Sequence, residues 1–141
     1  MTTSKTTFWA GTIASGLPAL FLLFDAGIKL LKLPVVVTAT KELGYPESSI
    51  LVMGVVLLAS TVLYIVPRTS VLGAILLTGY LGGAIATHLR VGAPVFNFVF
   101  AIAIGVLLWG GLWLRDERIR NLIPLTGKSL ATINLETERG P

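Results

Sequence analysis

Asp25 and Lys29 stand four residues apart in FDAGIKLL (residues 24–31), at the end of a long apolar stretch. The chain's single histidine, His88, closes a later apolar stretch, Arg90 follows it, and Asn97 opens the next. Four helical residues turn through about 400°, so Asp25 and Lys29 share a face and can pair. An imidazole has an ordinary pKa nearest neutrality, and a carboxylate beside it can orient it for proton transfer. Asp25 and His88 are therefore the candidate acid–base pair. Lys29, Tyr80, Arg90 and Asn97 are the candidate ligand-binding groups, with Tyr80 able to donate a hydrogen bond to a ligand or to the first apolar segment.

Other chemistries find little equipment. Cysteine is absent, so disulfides, zinc–thiolate sites and thiol catalysis by this chain are excluded. One histidine excludes bis-histidine haem. A metal site would have to draw on Asp25, Glu42 or Glu47, and none is expected. No phosphate-binding loop, dinucleotide glycine motif or nucleophile elbow occurs. The net charge is +4 and the pI about 9.8. The basic residues lie between apolar runs rather than in a stripe with aromatics. They fit anionic lipid headgroups, and no nucleic-acid partner is expected.

The elements that must position these groups are apolar. Of 141 residues, 54% are hydrophobic and 13% charged, whereas a soluble domain carries roughly 25% charged residues. Four runs stand out, at 8–31, 50–66, 71–89 and 95–114. Crossing the hydrocarbon takes about 20 residues, and about 17 suffice. In lipid each run must satisfy its own backbone, which predicts helices; membrane strands would alternate polar with apolar. Pro67–Ser70 is a tight turn, and a short link joins runs three and four. The first link is longer and contains PVVVTATKELGYP, with Val35, Val36, Ala39 and Leu43 on one side. That pattern predicts a short surface helix lying as a lid over one end.

The prediction is an all-α transmembrane four-helix antiparallel bundle over residues 1–124, with the amphipathic segment between helices one and two. A polar tail follows over 125–141. Met1–Thr7 carries one lysine and no small-residue cleavage site follows, so the first run reads as a retained helix. An even number of spans puts both termini on one side. That side holds Lys5, Arg68, Arg115, Arg118, Arg120 and Lys128, against Lys29, Lys32, Lys41 and Arg90 on the other. The imbalance predicts cytoplasmic termini.

In this topology runs one and three travel the same way. Asp25, Lys29, His88, Arg90 and Asn97 then meet at one depth, away from the termini. A charge at the centre of a membrane helix costs roughly 2.5–3.5 kcal/mol on insertion scales, so Asp25 should turn inward toward a cation. The alternative is a structural ion pair, with Lys32 and Arg90 reaching up to headgroups. Gly79–Gly83, Thr78–Gly82, Ala101–Gly105 and Gly110–Gly111 are small-residue pairs expected to pack helices within the bundle; homo-oligomerisation through them is the alternative. Pro18 is expected to kink helix one, and Trp9, Trp109 and Trp113 to form an interfacial belt.

YIVPRTSVLGAILLTGYLGGAIATHLRVGAP (residues 64–94), with GIKLL and LGYP before it and LWLRDERIRNLIP after it, resembles the DoxX-like family of small four-helix membrane proteins. The resemblance covers Leu20 to Pro124, and its matching motif residues are Lys29, Gly82, Gly83, His88 and Arg90. It implies a multi-pass protein of a bacterial plasma membrane. Some relatives are subunits of thiosulfate:quinone oxidoreductase and others belong to oxidative-stress complexes. Relatives often carry an acid after a glycine corresponding to Gly54; here Leu57 stands near that place.

Three functions follow as expectations. The first is a binding or accessory protein holding a quinone- or lipid-like molecule, serving a membrane redox partner. The second is a membrane enzyme of isomerase, cyclase or hydrolase type using Asp25 and His88. The third is a structural or assembly factor. The sequence leaves open whether the chain is an enzyme and which cofactor, if any, it takes, a quinone being the candidate.

Overall fold

A computed structural model describes residues 4–123; the tail expected over 125–141 lies outside them. The described chain is all α-helical, in the order α1 (Lys5–Leu30), α2 (Pro34–Glu42), α3 (Ser49–Ile65), α4 (Ser70–Arg90), α5 (Val95–Arg115) and α6 (Glu117–Leu122). α1, α4 and α5 are long and apolar enough to cross a membrane, while α3 is apolar but has 17 residues. The short amphipathic helix expected after the first run is α2, entered by Pro34 at its first turn, where a missing N–H is no loss.

α1, α3, α4 and α5 form an antiparallel bundle in which α1 packs on α3 and α5, and α4 packs on the same two helices. α1 and α4 therefore face each other across the diagonal. The core is built from Leu22, Leu57, Tyr64, Leu77, Ile104 and Leu108. Tyr64 spans the other diagonal, its hydroxyl donating to the Leu108 carbonyl at 2.6 Å. Many large apolar side chains face outward, among them Leu17, Phe24, Ile75 and Val106, as lipid-facing positions should. Hydroxyls within the helices bond back to carbonyls one turn earlier, as in Ser15 to Gly11 and Thr61 to Leu57, both at 2.7 Å. Helix α1 continues unbroken through Pro18.

Glycines decide where the bundle is tight. At the end holding both described termini, a methyl on Gly73 would overlap the backbone of Tyr64 and Leu63. One on Gly111 would lie 2.6 Å from the Ser15 nitrogen. Here α3–α4 and α1–α5 touch backbone to backbone. The Gly79–Gly83 expectation is corrected: a methyl on Gly79, Gly82 or Gly83 would meet nothing within 4 Å. Neither that pair nor Thr78–Gly82 draws a neighbouring helix in through its glycines. Gly105 makes only ordinary contact with Leu81, at 3.6 Å, and Gly110 meets nothing. The bundle is pinched at the terminal end and opens toward α2.

Candidate functional site

The opening is a cavity of about 760 Å³, bounded by the outer halves of α1, α4 and α5, the start of α3, and α2 across the end. α1 and α4 are diagonal partners across it, α1 lining it with Phe21, Leu22, Asp25, Ile28 and Lys29. Ala84, Gly83 and Gly79 line α4 there.

Five of the six predicted site residues line this one space: Asp25, Lys29, Tyr80, His88 and Asn97. The i,i+4 pairing forms, with Lys29 Nζ donating to Asp25 Oδ1 at 2.5 Å. The two side chains are 15% and 26% exposed, so water screens the pair only in part. Asp25 is thus held by lysine, and His88 is not its hydrogen-bond partner. The Nδ1 of His88 is buried without any protein hydrogen bond, while the residue itself lines the cavity. Leu22, Ile28, Phe21, Phe100 and Ile104 supply apolar wall.

Arg90, the sixth, does not line the cavity. Its Nη2 donates to the Leu43 carbonyl at 2.7 Å, and its guanidinium carbon lies 5.9 Å from the centre of the Tyr45 ring. The charge that the sequence suggested for a ligand instead fastens the end of the lid. Tyr45 and Thr87 complete this latch, with their hydroxyl oxygens 2.8 Å apart. Thr87 donates its own proton to the Gly83 carbonyl at 2.8 Å, so Tyr45 is the donor to Thr87.

Sequence reasoning missed Tyr45 and Thr87. The signal available was the Gly44-Tyr45-Pro46 turn: Gly44 has φ +81°, a backbone that glycine adopts freely, and it aims Tyr45 back toward α4. A methyl on Gly44 would also lie 3.4 Å from Arg90 Nη2. Leu57, near the place where resembling relatives carry an acid, is fully buried core.

A second, smaller hollow lies at the terminal end beside Phe8, Ser70 and Arg115. Arg115 stacks 5.6 Å over the Tyr64 ring. Trp109 donates to Thr78 at 2.8 Å and Trp113 to the Ile123 carbonyl at 3.1 Å, so Trp109 ties α5 to α4 and Trp113 ties it to the end of α6, both packed against the core.

No curated protein and no solved structure matches the chain. The family model described as the DoxX-like family matches residues 13–111, a segment that runs from the first pinch of α1 through the cavity to the glycine contact of α5. With that match over most of its length and apolar helices built to cross lipid, this multi-pass membrane protein belongs to the DoxX-like family.

Proposed function

We propose that the protein binds one small amphiphilic molecule, quinone- or lipid-like, in the cavity beneath α2, as an accessory to a membrane redox system. The observation that carries this reading is the cavity's asymmetry. Its volume of about 760 Å³ lies in the range of small-molecule sites, about 300–1,000 Å³. Its wall is mostly apolar, but Lys29, Tyr80, His88 and Asn97 converge on it from three helices. A ligand's polar head would accept from Lys29, Tyr80 or the Asn97 amide and meet His88, while its body lies against Phe21, Phe100 and Ile104. Acid–base catalysis by Asp25 and His88 has less support, because Lys29 occupies the carboxylate.

The membrane domain ends before the polar tail, and the plasma membrane is the proposed location. Among the described residues the terminal end carries Lys5, Arg68, Arg115, Arg118 and Arg120, which favours cytoplasmic termini.

The test is extraction of the purified protein in mild detergent, followed by mass spectrometry of bound small molecules. One amphiphile retained at near-stoichiometric level, and lost in His88→Ala and Asn97→Ala variants that still fold, is the expected result. A cavity that retains nothing, and binds neither a quinone nor a phospholipid added back, overturns the reading.

A further inference from the structure

Each of the four seams of the bundle can be followed to the level of the cavity. At α1–α3, Gly54 lets the helices close, and a methyl there would already stand 3.1 Å from Lys29 Cβ. At α1–α5, the rings of Phe21 and Phe100 meet edge to face at 5.2 Å. At α4–α5, Leu81 lies against Gly105, and the helices are joined at this end by a short link whose Ala93 nitrogen donates to the His88 carbonyl at 2.9 Å. Only α3–α4 has its connecting turn at the opposite end, where Gly73 and Tyr64 pin the backbones together. Toward α2, a methyl added on Gly79 or Gly83 would meet no atom within 4 Å, so α3 stands back from them. Val52 and Met53 of α3 and Gly79 and Gly83 of α4 line the cavity as the lips of that gap, and the glycines add no side chain to fill it.

The water-facing end is closed differently. α2 lies across it, fastened to α4 by Tyr45–Thr87 and by Arg90 to the Leu43 carbonyl. His88 lines the cavity beneath this closure.

We propose that the cavity is loaded sideways, from the hydrocarbon, through the slot between the outer halves of α3 and α4. Its ligand class is then a membrane-dissolved amphiphile with a head small enough to pass between Met53 and Gly83; water-borne ions and polar metabolites are excluded. This rests on the reading that the cavity holds a ligand. Its failure is separable, because it concerns the route and not occupancy.

The chain has no cysteine, so one introduced thiol reports alone. Ala84→Cys places it in the cavity wall. The protein in phospholipid vesicles is treated with a membrane-dissolved pyrene maleimide or with a charged, impermeant methanethiosulfonate. The maleimide should react, and the charged reagent should be slower by roughly 100-fold, since a fixed charge does not pass through hydrocarbon. Adding Gly83→Leu should abolish maleimide labelling, and Met53→Phe, which narrows the slot from its other lip, should slow it. Gly82→Leu, on the lipid side of the same helix turn, should leave it unchanged. Circular dichroism and gel filtration establish which variants fold. With the lid intact, labelling of Ala84→Cys by the charged reagent as fast as by the maleimide overturns the proposal in favour of entry past the lid. Labelling unchanged by either slot substitution, or no labelling at all, also overturns it. Co-purified ligand measured in the same preparations reports separately on whether the cavity is a binding site.

Discussion

Lys29 reaches back one turn of α1 to donate to Asp25 at 2.5 Å, and His88 on the opposite helix makes no hydrogen bond to that carboxylate. The three groups share one cavity, but only two of them are partners. The wall therefore presents a neutralised acid and a lysine with remaining donor capacity, with the His88 ring beside them.

Removing one member of that pair should be worse than removing both. Lys29→Met leaves a carboxylate that is 26% exposed without its cation. A fully buried orphan costs about 3–5 kcal/mol, and partial exposure reduces this to about 1–3 kcal/mol. Asp25→Asn/Lys29→Met should recover most of the loss. Thermal unfolding in detergent, followed by intrinsic tryptophan fluorescence, measures both.

Gly73→Ala should destabilise the bundle where Gly79→Ala does not. The first methyl overlaps the Tyr64 backbone, which cannot rotate away, and the second meets open space. Overpacking of this kind costs about 1–3 kcal/mol, and replacing an unpacked helical glycine by alanine should be neutral or stabilising by up to about 1 kcal/mol. The same unfolding measurement separates them.

Tyr64→Phe deletes the bond to the Leu108 carbonyl while keeping the ring beneath Arg115. A single bond of this type contributes about 0.5–1.5 kcal/mol. The loss should be read as a lower midpoint of unfolding with unchanged helicity.

Tyr45→Phe releases the hydroxyl held by Thr87, and Arg90→Ala releases the Leu43 carbonyl. Together they should speed amide hydrogen exchange across residues 34–43, with little change in α4 and α5. Exchange that rises throughout the bundle would mean that α2 holds the fold together and is not a separable lid.

Much of the fold was legible because lipid removes choices. A run of about 20 apolar residues in hydrocarbon must be helical, so α1, α4 and α5 follow from hydropathy alone. The common depth of Asp25, Lys29, His88 and Asn97 followed from counting passes. Two features were not legible. The Gly79–Gly83 spacing matches a packing motif, yet whether a glycine draws in a helix or leaves a space depends on its neighbour. Here no atom of a neighbour comes within 4 Å of a methyl placed on either glycine. Arg90 was assigned to the ligand from its nearness to His88. Successive helical positions point in different directions, and two residues on from His88 it faces α2.

The 17 residues of α3 reach roughly 25 Å, against about 31 Å for the 21 residues of α4. The hydrocarbon thickness is about 30 Å. A bilayer meets so short a span by thinning, by flanking side chains reaching out or by oligomerisation, and thinning would draw headgroups inward toward the level of Met53. A polar amphiphile arriving there would already ride lower than its bulk neighbours, and the membrane itself would hand it in at the right height.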